Sequence, residues 1–392
     1  MDGKSLIRDC LDSARGELVE LSHLLHDNPE LSYEERRAAE WQAALLKERG
    51  FSVEAPYLGL ATAFRASVKT GEGPRIAFLS EYDALAGFGH ACAHNVIAGS
   101  SVGAGIGLAH AVKVLGVACE VIVMGTPGEE KYGGKIHLVE RGAFASVDFA
   151  LMMHPSTKNQ IGRAGLAALG LTARYRGRAV HSASPEKGIN ALTSLISLFN
   201  AIDALRQVWP DSGRCNGIIT EGGKASNIVP DFAEALFTVR AGKKRQLEAM
   251  GRDIEAAAQS AARLTGAELE LIREPLYAER YPNGVMGELF KANMESLGEA
   301  MCYPDPTERV GSSDIGNVSL EVPAIHEYLA IAAPDVPGHT AAFREAARSP
   351  RADEVVLSGA KGLAMTGWDL ATDARARADA RKEFEEKALP NR

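Results

Sequence analysis

The chain has 392 residues, 46% of them hydrophobic and 24% charged, with a formal net charge of −8 and an isoelectric point near 5.8. That is room for two domains with separate cores; the acidic balance, with no basic stripe, argues against nucleic acid and against a membrane surface as partners. The opening MDGKSLIRDCLDSARGE has no apolar run of signal-peptide length. Val96 to Gly125, the most apolar region, is interrupted by His110, Lys113 and Glu120, so no membrane span is expected. The five cysteines (Cys10, Cys92, Cys119, Cys215, Cys302) are scattered without a CxxC pair, which points to a reducing, cytoplasmic compartment rather than a disulfide framework.

In chain order, an amphipathic helical pattern runs from about Ser5 to Asn28 and a second from about Tyr33 to Arg49, stopped by Gly50. ATAFRASV and RIAFLSEY read as strands, Asn95 to Leu115 as a helix, CEVIVMGTP as a strand, GGKIHLVERGA as a short helix and VDFALMMHP as a strand. This alternation predicts an α/β domain with a largely parallel sheet. From about Gly165 the rhythm becomes βαββαβ: LAALGLTARYRG, Asn190 to Trp209, CNGIITEGG, AEALFTVRA, Lys243 to Thr265 and AELELIRE, the order of a ferredoxin-like unit. YPNG at 281–284 marks the return to the first pattern. The expected architecture is a discontinuous catalytic α/β domain (1–164 and 279–392) carrying an inserted ferredoxin-like lid and dimerisation domain (165–278). The charged tail DARARADARKEFEEKALPNR reads as a solvated helix.

In open α/β sheets the ligand site lies beyond the carboxyl ends of the strands. RIAFLSEY leads into Asp83 and then His90, Cys92 and His94; EVIVMGTP leads into Glu129 and Glu130; FALMMHP delivers His154; AIHEYLAIAAP leads to His339. In extended chain His90, Cys92 and His94 would point the same way. Four strand ends thus supply imidazole, thiolate and carboxylate, a donor set that suits Zn²⁺ or Mn²⁺, with Co²⁺ and Ni²⁺ as further candidates, rather than Ca²⁺ or Mg²⁺. The donors exceed what one four-coordinate ion needs, so one or two ions per subunit are expected. Of the adjacent pair Glu129 and Glu130, one carboxylate can bind metal while the other moves a proton.

Taken together, HDNPELSYEE, EYDALAGFGHACAHN, GTPGEEKYGGK, MMHPS, GRAVHSASPEKGINAL, KASNIVPD, GSSDIGNVS and GHTAAF resemble the aminoacylase/carboxypeptidase family of two-metal metallopeptidases. The amidohydrolase branch, with N-acyl amino acid, N-acetyl-diaminopimelate, auxin-conjugate and aminobenzoyl-glutamate hydrolases, fits best. The resemblance implies metal ligation by Cys92, His94, Glu130, His154 and His339, Glu129 as general base and then acid, and Asp83 as the residue that orients a ligand. It implies that His181 polarises the scissile carbonyl, often in a partner subunit's site, that Asn227 and Arg240 bind substrate, and that Gly338 brings backbone close to it. A homodimer through the lid follows from the same resemblance. Two positions depart from the family pattern: Ala93 stands where glycine is usual and Asn95 where aspartate is usual.

The expected reaction is hydrolysis of the amide bond of a small N-acyl amino acid, aminobenzoyl-amino acid or dipeptide. Hydrolytic removal of an amino group from an activated aromatic carbon uses the same centre and is the alternative. A Cys92 nucleophile with a histidine base is disfavoured, because a thiolate among metal ligands binds metal. A noncatalytic metal-binding homologue would need no spare base beside a ligand, and Glu129 argues against it. Ser312, Ser313 and Asp314 either line the pocket or cap a helix. His90 is expected to be structural more than ligating, and His23, His26, His110, His137 and His326 are read as structural. GTPGEEKYGGK lacks the P-loop spacing, which excludes that mode of nucleotide binding.

Overall fold

A computed structural model describes residues 2–305, 307, 308 and 310–392, which divide into two compact units, the chain up to Ala164 together with that from Arg280 onward, and Gly165–Glu279. The first unit holds strands Ser52–Glu54 (β1), Phe64–Lys69 (β2), Arg75–Ser80 (β3), Glu120–Gly125 (β4), Phe149–Ser156 (β5) and, after the second unit, Ala324–Ala330 (β10). The second unit supplies Ala167–Arg176 (β6), Arg214–Glu221 (β7), Phe232–Ala241 (β8) and Glu268–Arg273 (β9).

The first unit is a sheet in the order β1-β2-β4-β3-β5-β10. β4, β3, β5 and β10 are parallel, as the alternating pattern predicts, and β2 and β1 extend the edge antiparallel. The central strands are buried on nearly every residue, which is why they read as unbroken apolar runs. Helix His94–Leu115 is long and apolar enough to cross a membrane, yet it lies almost wholly inside the core, against helix Pro350–Thr372 and the sheet. Glycine permits that approach: a Cβ on Gly105 would sit 2.2 Å from Val123 of β4, and one on Gly103 2.9 Å from Ala360.

Two expected elements differ. The N-terminal pattern forms two helices, Gly3–Ser13 and Arg15–Asp27, broken at Ala14, whose ψ of 0° leaves the helical range. The next helix starts at Arg36 rather than Tyr33, because Tyr33 takes a left-handed φ of 66°.

The second unit is an antiparallel sheet, β7-β8-β6-β9, with helices Ala191–Leu205 and Lys244–Thr265 packed on it around a core of its own. β8 alternates buried and open residues, the mark of a sheet covered on one face.

Candidate active site

β3 ends at Ser80, and the next residues are the buried carboxylates Glu81 and Asp83. The chain then turns, with Gly87, Gly89 and Ala93 all at positive φ, before His94 opens the long helix. Cys92 and His94 are therefore presented from a turn, and the extended-chain argument fails for His90. That ring is buried and stacks on His26 at 6.3 Å, and burial, then His94 and His26, bring its pKa down to about 3. His90 is a packing residue. Ala93 adopts φ 59°, ψ 34°, so the position where glycine is usual does need left-handed backbone, and alanine there costs about 1 kcal/mol. Asn95 is buried and donates to Ser22 Oγ and to the carbonyl of Ala347, both at 2.9 Å.

His94 Nδ1 lies 3.0 Å from Asp83 Oδ1, while Asp83 Oδ2 accepts from Ser32 Oγ at 2.8 Å and from the Glu130 amide at 2.9 Å. Burial opposes ionisation of Asp83, but the His94 hydrogen bond and these donors outweigh it and bring its pKa down to about 2. The carboxylate thus holds the proton on Nδ1 and leaves Nε2 facing the site. That Nε2 is 3.7 Å from Glu130 Oε1 and 3.5 Å from Glu81 Oε2. His154 donates from Nδ1 to the Pro155 carbonyl at 2.7 Å, so its Nε2, 3.6 Å from Cys92 Sγ, carries the lone pair. His339, at φ 63°, is pinned by its amide to the Ala91 carbonyl at 2.9 Å, and its Nε2 is 3.8 Å from Glu130 Oε1.

Three overlapping sets, Cys92–His94–His154, Cys92–Glu130–His339 and His94–Glu129–Glu130, each have donor atoms within 4.8 Å of one another. His94 Nε2 and Glu130 Oε1 are buried without a hydrogen-bond partner among the described residues. Buried donor atoms that converge without hydrogen-bond partners are costly unless a cation sits among them, and the N, O and S donors suit a divalent transition metal. Burial, then the carboxylates of Glu81, Glu130 and Asp314, push Glu129 well above the usual carboxylate range. Burial, then Glu130, likewise push up the Cys92 thiol. A bound cation would reverse the sense of both shifts.

Sequence reasoning missed the layer beneath. Lys135 is fully buried and donates from Nζ to Glu81 and, at 2.7 Å, to Asp314 Oδ1; its amide reaches Asp314 Oδ2 at 2.9 Å. Glu81, Glu129 and Asp314 form a further set within 4.8 Å. Asp314 makes no side-chain cap on the helix it precedes, whereas Ser312 and Ser313 line the cavity. A lysine in the apolar helix Gly134–Glu140 was the available signal. The cavity, about 340 Å³, is bounded on one wall by Cys92, Glu129, Glu130, His154, Gly338 and His339. The same cavity is also lined by Arg163, Arg280, His326 and Tyr328, unforeseen in the sequence, with the His326 ring 5.4 Å from that of His154.

The remaining expected residues belong to the second unit. His181 is exposed, its Nδ1 accepts from the Ala183 amide at 3.1 Å, and it neighbours Asn227, whose carbonyl accepts from the Ser182 amide at 2.9 Å. Arg240 is half-buried on β8, in register with Arg214 and Ala168.

Known proteins match this chain along most of its length. The family profile of the peptidase dimerisation domain matches residues 161–265. A Xaa-Arg dipeptidase of Mus musculus is 37% identical over 390 residues, spanning 95% of this chain and 90% of its own. A p-aminobenzoyl-glutamate hydrolase chain of Escherichia coli K12 is 30% identical, spanning 71% of this chain and 62% of its own. Among solved structures, a dinuclear metal-binding M20 peptidase of Bacillus subtilis superposes with a TM-score of 0.65 at 21% identity, over 90% of this chain and 98% of that one, a likeness of fold.

Proposed function

The chain belongs to the M20 family of metal-dependent peptidases and amidohydrolases, and we infer that it hydrolyses the amide bond of small dipeptides or N-acyl amino acids. The observation that carries this reading is the pairing of unpartnered metal donors, His94 Nε2 and Glu130 Oε1, with the Glu129 carboxyl group within 4.8 Å of them. Cys92, His94, Glu130, His154 and His339 would hold one or two divalent ions, Mn²⁺ or Zn²⁺ first. When bound, these would supply Lewis acidity and lower the pKa of water.

The protein's own groups do the rest. Glu129 takes the proton from the attacking water and returns it to the leaving nitrogen. Asp83 keeps the His94 ring in the ligating tautomer. Lys135 anchors Glu81 and Asp314, which press on Glu129 and sustain its affinity for a proton. His181 and Asn227, adjacent in the inserted unit, would polarise the scissile carbonyl and hold substrate together with Arg240, and Gly338 would offer backbone to it. A homodimer through the inserted unit agrees with the dimerisation-domain match and with the exposed Ile218 and Ile219 on β7. A cytoplasmic setting agrees with five free cysteines.

Xaa-Arg dipeptides head the substrate panel because the relative similar over 95% of this chain is a Xaa-Arg dipeptidase; aminobenzoyl-glutamate and N-acyl amino acids follow. Elemental analysis and turnover would be measured together for the wild type and Glu129→Gln. Metal in both proteins with turnover only in the wild type is the expected result. Turnover retained in Glu129→Gln would overturn the assignment.

A further inference from the structure

Glu34 and Glu35 are neighbours with opposite surroundings: Glu34 is exposed and Glu35 is fully buried. Glu35 immediately precedes helix Arg36–Glu48, yet its carboxylate does not cap that helix. It reaches instead to the turn that follows β4. Its Oε1 accepts from the Gly128 amide at 2.8 Å, and its Oε2 accepts from the buried Thr62 hydroxyl at 3.0 Å. The Thr62 carbonyl accepts in turn from the Tyr82 hydroxyl at 2.5 Å, so this partner is itself held. A buried carboxylate is costly unless its oxygens find donors, and each oxygen of Glu35 has one.

The turn that Glu35 grips carries Glu129 and Glu130. The Gly128 amide lies one residue before Glu129 and the Glu130 amide one residue after it; the first ends on Glu35 and the second on Asp83 Oδ2, at 2.9 Å. Two buried carboxylates from separate segments thus hold the backbone on either side of Glu129. Gly128 sits at φ 70°, and a Cβ there would stand 2.7 Å from the Tyr33 ring, so that ring packs directly on the turn. The Tyr33 hydroxyl donates to the Tyr132 carbonyl at 3.3 Å, and Ser32 Oγ to Asp83 Oδ2 at 2.8 Å. Ser32, Tyr33 and Glu35 therefore touch both arms of the site, the one that leads to His94 and the one that carries the paired glutamates.

We infer that Glu35 is a positioning residue for the reaction: with Asp83 it fixes the backbone on either side of Glu129 and so aims that carboxyl group at the water and the leaving nitrogen. The inference rests on the hydrolase reading for the role of Glu129, and it adds the group that sets its direction. Glu35 is not among the residues that line the cavity, so it acts through the backbone of the turn. A misplacement of about 1 Å at a reacting group, caused from a distance, can cost about 10²-fold in rate. What the Gly128 amide needs is an acceptor rather than a charge, and a side-chain amide of the same shape supplies one.

The test uses the metal-loaded full chain and the panel substrate it cleaves best, and reads kcat, KM, metal content and the hydrogen exchange of the Gly128 amide. Glu35→Met keeps the bulk and removes both acceptors, whereas Glu35→Gln keeps an acceptor for Gly128 and can donate to Thr62. In Glu35→Met, kcat is expected to fall about 10- to 100-fold with KM and metal content unchanged and the Gly128 amide exchanging about tenfold faster or more. Glu35→Gln should restore all of these to within about threefold of the wild type. Thr62→Val, which frees the other carboxylate oxygen, carries the test if Glu35→Met does not fold, with a kcat loss of about three- to tenfold expected. Wild-type kcat in Glu35→Met, or in Thr62→Val where that variant carries the test, would overturn the inference. A Glu35→Gln variant as slow as Glu35→Met would overturn it too, as would a fall in kcat matched by loss of metal. Faster exchange in Glu35→Met alone, in a protein that cleaves no amide, would retain the grip on the turn and overturn the hydrolase reading instead.

Discussion

The two walls of the cavity are built on opposite plans. The metal-donor wall crowds carboxylates, Glu81, Glu129, Glu130 and Asp314, around Cys92 and the histidines, and among the described residues the buried Lys135 is the cation that offsets them. The adjoining basic wall carries Arg280, whose hydrogen bonds go to neutral groups, and Arg163, with Glu308 3.7 Å away. One wall has more carboxylates than cations; the other has more cationic donors than carboxylates.

The largest effect should come from the proton carrier on the acidic wall. Glu129→Gln keeps the shape and removes the transferable proton, and kcat should fall about 10²- to 10⁴-fold with metal content unchanged by elemental analysis; an unchanged kcat would break the contrast between carrier and ligands. Next is the counter-ion beneath that wall. Lys135→Met strands Glu81 and Asp314 as buried carboxylates and should cost about 3–5 kcal/mol in urea unfolding. A loss under about 1 kcal/mol would mean the acids do not depend on this lysine.

The strand behind the basic wall offers a pH test. Burial first, and the Glu288 charge, push Glu327 up to about 7, against the opposing Gly162 hydrogen bond and Arg280 charge. The folded state therefore binds an extra proton between the unfolded value of about 4.5 and about 7. The stability it contributes is complete below that window and lost as pH rises through it. Glu327→Gln removes the dependence, so its unfolding free energy should gain about 2–3 kcal/mol on the wild type between about pH 4.5 and about pH 8. Parallel curves for the two proteins would place the charge elsewhere. The smallest effect is at the turn into His94: Ala93→Gly relieves a left-handed alanine and should raise stability by up to about 1 kcal/mol, seen as a higher Tm.

The acidic wall was legible in the sequence because its chemistry is local. Cys92 and His94 are two residues apart, Glu129 and Glu130 are adjacent, and each group follows an apolar strand, so a rule about strand ends gathers them. The basic wall was not legible, because Arg163, Arg280 and His326 come from three distant segments with no shared motif, and only the parallel pairing of β5 with β10 brings His326 beside His154. His90 failed for the converse reason: spacing in sequence suggested a shared face, and the glycine turn at 87–89 sends the ring toward His26 instead. The sheet was readable from its doubly buried strands, while the break at Ala14 was not, since nothing in the amphipathic period marks it.

The inserted unit also bears on the order of assembly. β5 ends at Ser156 and its neighbour β10 begins only at Ala324, a wide gap for two strands to close by chance encounter. Yet the insert ties its own ends together: the Ala168 amide donates to the Tyr277 carbonyl at 2.9 Å and the Tyr277 amide returns the bond, also at 2.9 Å. Once β6 and its partners have formed, the effective loop between β5 and β10 loses the whole length of chain inside that clasp, and the entropy of closing it falls accordingly. The clasp thus shortens the loop that has to be closed for β10 to pair with β5, the pairing from which the chain runs on toward His339.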